Sequence, residues 1–208
     1  RCYGALVVES RDIRSYTEGD VRTIQQLVDT VSSGLEIYAL GDVVDNYVLL
    51  DETTGVANRR YFIERLHEEV HRAKDYGTDI TVVMLSIDNV DEQVNRYGKD
   101  GFDFILQNVG RLVKSFVRPY DLVGRFDFNR FAVLLINTTS NEAYLWAEKV
   151  RKNIASNIIN IDQRSFSVTV SAGVCSAVDN RTDIELMENA NHVLSKAIDA
   201  GGNMVRVY

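Results

Sequence analysis

The stretch Asp79–Asp88, DITVVMLSID, most limits what this chain can become. Between its two aspartates only Thr81 and Ser86 are polar. Its length and its Ile and Val content suit a buried strand. Helical periodicity surrounds it. Asn58 to Gly77 carries Phe62, Leu66 and Val70 at spacing four, and Asn89 to Tyr97 reads as a short helix. Phe102 to Val117 places Ile105, Val109, Leu112 and Phe116 on one face. Further helices are expected over Ser140–Ser156 and Asp183–Ala200. Arg118–Leu135, RPYDLVGRFDFNRFAVLL, reads as a loop, a strand, a tight turn and a second strand. Ser165–Ala177 carries one or two strands, and MVRVY closes with another. Strands and helices alternate, so the class is α/β (α+β) with one central sheet.

Upstream the texture differs. Tyr3–Ser10, YGALVVES, is a short apolar run and reads as a strand; DIRSYTEGD after it is turn-like. Val21, Ile24, Val28, Val31, Leu35 and Tyr38 then follow at steps of three and four. That seam suits a coiled coil of about two and a half heptads, or equally a face packed on its own domain. The pattern changes from Asp51. The chain opens inside the first apolar run, which reads as a piece of a longer protein.

Charge and cysteine usage narrow the partners. The net charge of −7 argues against broad attraction to nucleic acid or an anionic membrane. Cys2 and Cys175 are the only cysteines, which is neither a disulfide framework nor a metal spacing. A reducing, cytoplasmic setting is expected, whether for a free protein or for the cytoplasmic part of a membrane-anchored one. His67 and His71 lie four apart on a helix, with no third ligand apparent, and read as solvated together with His192. Trp146 reads as core or helix-surface packing.

The hairpin turn is odd. A tight hairpin turn favours Gly, Asn or Asp because its central residues need positive φ. Here Phe128 sits at the tip of DFNR and Arg130 follows.

Five stretches together resemble one family. DETTGVANRRYF is similar to the D-x-L-T-G-L-x-N-R-R-x-F opening of GGDEF domains, the diguanylate cyclase family. SIDNVDEQVNRYGKDGFD resembles its D-I-D-x-F-K-x-I-N-D-x-x-G-H-x-x-G-D stretch, and RPYDLVGRFDFNRFAVLL its R-x-x-D-x-x-x-R-Y-G-G-D-E-F-A-V-L-L stretch. VTVSAGV and ANHVLSKAIDAGGNMV complete the series in order from Asp51 to Tyr208. The resemblance implies a mostly antiparallel sheet wrapped by helices, as in nucleotidyl cyclases, over residues 49–208. Residues 1–48 resemble the last strand and final helix of a GAF domain, joined by a linker helix.

The resemblance also explains the hairpin, whose turn carries the family signature. There two glycines let GTP phosphates approach the backbone. Asp127 and Phe128 replace them here. Asn129 stands where the family places a metal-binding acid, and Arg130 replaces the Glu after it. Ser86 replaces the first Asp of DID, and only Asp88 of that motif survives. Asp91, Val94, Ile198 and Gly202 replace further phosphate and base contacts, while Asp103 is kept. Mg²⁺ wants carboxylate and phosphate oxygens in near-octahedral array. The expectation is a catalytically inactive domain with no cofactor and no metal.

The family's second site, an R-x-x-D loop that binds the product, is kept as Arg118 and Asp121, with the five residues LVGRF between it and Asp127. Arg can grip guanine O6 and N7 bidentately, and a carboxylate can accept from guanine N–H groups. The family's second Arg is Lys149 here, with Arg151 two residues on. The plain alternative is a surface ion pair or helix cap. The expected ligand is cyclic di-GMP, and the expected assembly a homodimer or a signalling or exopolysaccharide complex. A GAF-like end, a degenerate turn and a kept R-x-x-D are similar to the cyclic di-GMP receptors of Pel-type export systems. The rival expectation is a dimerisation or scaffold module that binds no nucleotide.

Overall fold

The computed structural model describes residues 7, 17–161, 164–177 and 181–208, without the side chains of residues 36–47. But for Val7, the strand expected at Tyr3–Ser10 lies outside the described residues. The chain divides into two units, Arg1–Val48 and Leu49–Tyr208.

In the first unit, α1 runs from Glu18 to Tyr47. The turn expected up to Asp20 is helical from Glu18, because Thr17 caps the helix: its Oγ1 accepts from the Asp20 N–H at 3.3 Å, and the Asp20 carboxylate accepts from the Thr17 N–H at 2.9 Å. Val21, Val31 and Leu35 are exposed along the seam, while Ile24 and Val28 are half-buried.

The second unit follows the order α2 (Arg59–Tyr76), β1 (Ile80–Ile87), α3 (Val90–Ser115), β2 (Leu122–Arg125) and β3 (Arg130–Ile136). It continues with α4 (Ser140–Ser156), β4 (Ile159–Ile161), β5 (Arg164–Phe166), β6 (Val170–Ser176), α5 (Asp183–Asp199) and β7 (Val205–Val207). Local chemistry sets these limits. Asn58 caps α2 by accepting from the Tyr61 N–H at 2.9 Å, and Gly77 ends it at φ 63°. Thr139 with Glu142 and Thr182 with Glu185 form capping boxes that start α4 and α5. The helices expected on either side of Gly98 are one element, broken where Gly98 adopts φ 70°, ψ −176°.

Five strands form one sheet in the order β2-β3-β1-β6-β7, antiparallel except for β6 with β7. β4 and β5 form a separate ribbon. β1 is central and buried along its whole length. Alternation divides its side chains. Val83, Leu85 and Ile87 join the core under α3 and α4, whereas Ile80, Val82 and Met84 join the core under α2 and α5. The Thr81 hydroxyl is satisfied at 2.6 Å by the Thr138 carbonyl and at 2.7 Å by Ser176 Oγ. Among the described residues no helix is long and apolar enough to cross a membrane.

Candidate functional site

Two neighbouring regions gather the residues singled out above: the turn between β2 and β3 with the end of β1, and the loop before β2.

The turn needs no glycine. Among the described residues the non-glycine positive φ values fall at Asn89, Asn137 and Asn203, none of them in the hairpin. The connection is long enough to close with ordinary φ: Phe126 N–H donates to the Arg130 carbonyl at 2.9 Å, and Asp127 Oδ1 accepts from the Phe128 N–H at 2.7 Å. Arg125 clamps it. Its guanidinium donates to the Phe128 carbonyl at 3.2 Å and to the Asp127 carbonyl at 3.4 Å. It also pairs with Asp51 at 3.2 Å. Burial pushes the Asp51 carboxyl up, but the hydroxyl and N–H of Thr54 together with Arg125 outweigh it and hold the group below its ordinary value. The Phe128 ring lies 5.0 Å from that of Phe102, nearly parallel to it.

Beside the turn, Asn129 Nδ2 donates to Ser86 Oγ at 2.9 Å and to the Ile87 carbonyl at 3.3 Å. Ser86 is buried and is paired in register with Arg130. Arg130 Nε is buried without a hydrogen-bond partner. Asp88 has both carboxylate oxygens occupied. Oδ1 accepts from Ser171 Oγ at 2.7 Å, and Oδ2 from Thr169 Oγ1 at 2.7 Å and the Asn203 N–H at 3.0 Å. Asp88 thereby staples β1 to β6 and to the loop after α5. A cleft of about 520 Å³ remains here, bounded by Asp88, Asp91, Glu92, Arg130 and Gly202.

In the loop before β2, the Asp121 carboxylate accepts from the Arg118 N–H at 2.9 Å and from the Ile136 N–H at 3.0 Å. The Arg118 side chain makes no ion pair with it. Its guanidinium is exposed and donates to the Tyr120 hydroxyl at 3.3 Å. That bond, before the nearby Asp121 and Glu142 charges, raises its pKa further. Glu142 is held low by the N–H and hydroxyl of Thr139, with a smaller contribution from Arg118.

Helix α4 flanks this loop. Trp146 Nε1 donates to the Phe116 carbonyl at 2.8 Å, and Lys149 Nζ lies 5.5 Å over the Phe116 ring. The structure therefore brings Lys149 to the end of α3, two residues before Arg118. Arg151 is not part of that group. It grips Glu148 through two 2.9 Å bonds and donates to Asn203 Oδ1 at 2.7 Å. Two residues along a helix is about 200° of rotation, so the two cations face opposite sides. Sequence reasoning missed Glu142, Arg125 and Tyr120. Each left a signal: Tyr120 as an aromatic inside the R-x-x-D loop, Arg125 as the second Arg of the R-x-x-D-x-x-x-R stretch, and Glu142 as the acid three residues after Thr139.

A sheet of this order, covered by helices on both faces, defines a mixed α/β domain. Residues 48–204 match the family described as diguanylate cyclase, GGDEF domain, and the chain belongs to it. It is 28% identical over 171 residues to diguanylate cyclase A of Treponema denticola, covering 78% of this chain and 46% of that protein. The chain thus spans less than half the length of that relative. Among solved structures it is similar to diguanylate cyclase SiaD of Pseudomonas aeruginosa in complex with its activator SiaC. That match has a TM-score of 0.75 and 26% identity, and covers 91% of this chain and 74% of that one. The GGDEF domain of DgcB from Caulobacter crescentus, in complex with c-di-GMP, shares the fold with a TM-score of 0.74 at 22% identity, covering 76% and 92%.

Proposed function

We propose that this is a catalytically inactive GGDEF domain that receives cyclic di-GMP at Arg118, Asp121 and Lys149, in bacterial second-messenger signalling. The observation that carries the reading is the bond between Asn129 and Ser86. In the family these positions supply metal-binding carboxylates. Here a neutral amide and a neutral hydroxyl bond each other, and the remaining carboxylate, Asp88, already accepts three internal hydrogen bonds. The residues present do not fit Mg²⁺, which needs a set of free, charged oxygens. Phe128, its ring stacked on Phe102, also carries a bulky side chain where the family has a glycine.

The receptor side rests on free valence. The Arg118 guanidinium is exposed and has one neutral partner, so its planar fork is available to guanine O6 and N7. Each Asp121 oxygen keeps a lone pair after its backbone bond and can accept from guanine N1–H or the exocyclic amine. Lys149 adds a point charge for a phosphate. The upstream unit is read as the end of a GAF-like domain with a linker helix, which would carry the signal to a second copy or a partner protein.

A dimerisation or scaffold module without nucleotide is the second reading, favoured by the two backbone N–H groups already on Asp121. Calorimetric titration with cyclic di-GMP, and with GTP plus Mg²⁺, separates them. Saturable dinucleotide binding that Arg118→Ala abolishes, with no GTP turnover, is expected. Absence of dinucleotide binding would favour the scaffold, and Mg²⁺-dependent turnover would overturn the inactive assignment.

A further inference from the structure

Helix α2 carries His67 and His71 one turn apart, both exposed, with ring centres 4.5 Å apart. The tertiary fold adds a third group that is distant in sequence. Asp183, the first residue of α5, places Oδ2 3.0 Å from His67 Nδ1. An ionised carboxylate only accepts, so Nδ1 is the donor and holds the proton. In neutral His67 the lone pair then resides on Nε2, the nitrogen turned away from Asp183. This is the arrangement by which a carboxylate sets the tautomer and orientation of a metal-ligating imidazole and raises its basicity.

We propose that His67 and His71 chelate a borderline divalent transition-metal ion of the Zn²⁺ class, with Asp183 positioning the His67 ring. Imidazoles at i and i+4 on a helix present their nitrogens to one point on the surface. A Zn–N distance of about 2.0–2.1 Å is reached from the observed ring separation by rotation of the His71 ring about χ2, a soft torsion, while Asp183 holds His67. Packing does not oppose that rotation, since His71 is exposed. Asp183 and Glu185 in the first turn of α5 make the surroundings favourable to a dication, with Arg181 and Lys74 near Glu185 as the opposing charges. Among the described residues no group of three or more His, Cys, Asp or Glu could hold a metal, so water fills the remaining positions. An open coordination sphere of this kind makes the site exchangeable. Hard Mg²⁺ is not its ligand, because two neutral imidazoles offer no oxygen.

The site lies where α2 meets α5. Leu66 and Val70 of α2 share a core with Leu186 and Ala190 of α5. An ion bound at the folded seam, and not by the unfolded chain, raises thermal stability.

The test uses the whole chain without a polyhistidine tag, titrated with ZnCl₂ by calorimetry and melted with and without the ion. One Zn²⁺ per chain and a raised Tm are expected. His67→Ala and His71→Ala should each weaken binding at least tenfold and remove the Tm shift, and Asp183→Ala should weaken it about tenfold. His192→Ala, on a histidine without a helical partner, should leave both unchanged. Zn²⁺ binding equal in the wild type and the His67→Ala, His71→Ala double variant would overturn the proposal. So would Mg²⁺ displacing Zn²⁺ at equal concentration. Melting without metal shows that the variants fold.

Discussion

Both carboxylate oxygens of Asp121 accept backbone N–H groups, one from its own loop and one from the end of β3. Asp121 therefore has a structural role before any ligand arrives. Asp121→Ala would leave two N–H groups without their charged acceptor, at a cost of about 2 kcal/mol. A lowered urea midpoint in the absence of nucleotide is the expected outcome, and an unchanged midpoint would contradict the geometry. Arg118→Ala should have no such effect on stability, because its guanidinium is exposed and its hydrogen bond goes to the neutral Tyr120 hydroxyl. The two variants thus separate binding from folding, and Arg118 is the cleaner probe of the ligand.

At the scale of elements, the hairpin and the helix starts share an acid sensitivity. Asp51, which is clamped to Arg125, has its folded pKa held below the ordinary carboxylate value. So do Glu142 and Glu185, whose main cause is the backbone N–H of the capping threonine. A depressed folded pKa means that the unfolded chain takes up protons first as the pH falls. The stabilisation is complete above about pH 4, the unfolded carboxylate range, and is lost as the pH drops through the folded values. Melting temperature should therefore fall below about pH 4, and Asp51→Asn should flatten part of that slope. The contact of β6 with α5 is steric. A Cβ on Gly173 would stand 2.1 Å from the Ala190 carbonyl oxygen, which belongs to a helix backbone and cannot turn aside. Gly173→Ala should cost about 3 kcal/mol or more, read as a lowered Tm or loss of soluble protein.

For the whole molecule, the division at Val48 and Leu49 separates the unit that contains α1 from the domain that holds both candidate sites. Val21, Val31 and Leu35 leave an apolar seam on that helix uncovered. If the seam pairs with a second copy, Val31→Lys should shift the chain from dimer to monomer in sedimentation equilibrium, while the far-UV spectrum of the domain is retained. A wild-type chain that is monomeric at tens of micromolar would remove the seam from the assembly argument.

Periodicity made the helices and most strands of the second unit legible, but not β4, Ile159–Ile161, which is too short to show a period. Their limits agree with the capping residues Asn58, Gly77, Thr139 and Thr182, because these effects act within one turn of chain. The family was legible too, since its motifs follow one another in register from Asp51. That Ser86 and Asn129 carry no charge needs only the alphabet. Tertiary structure alone decided which groups meet. It sent Arg151 to Asn203 and away from Lys149, committed Asp121 to Ile136, laid Phe128 on Phe102, and brought Asp183 to His67 across 116 residues. The reason is physical: a side-chain period reports which face of an element is buried, whereas the partner on that face depends on how distant segments pack into a shared core.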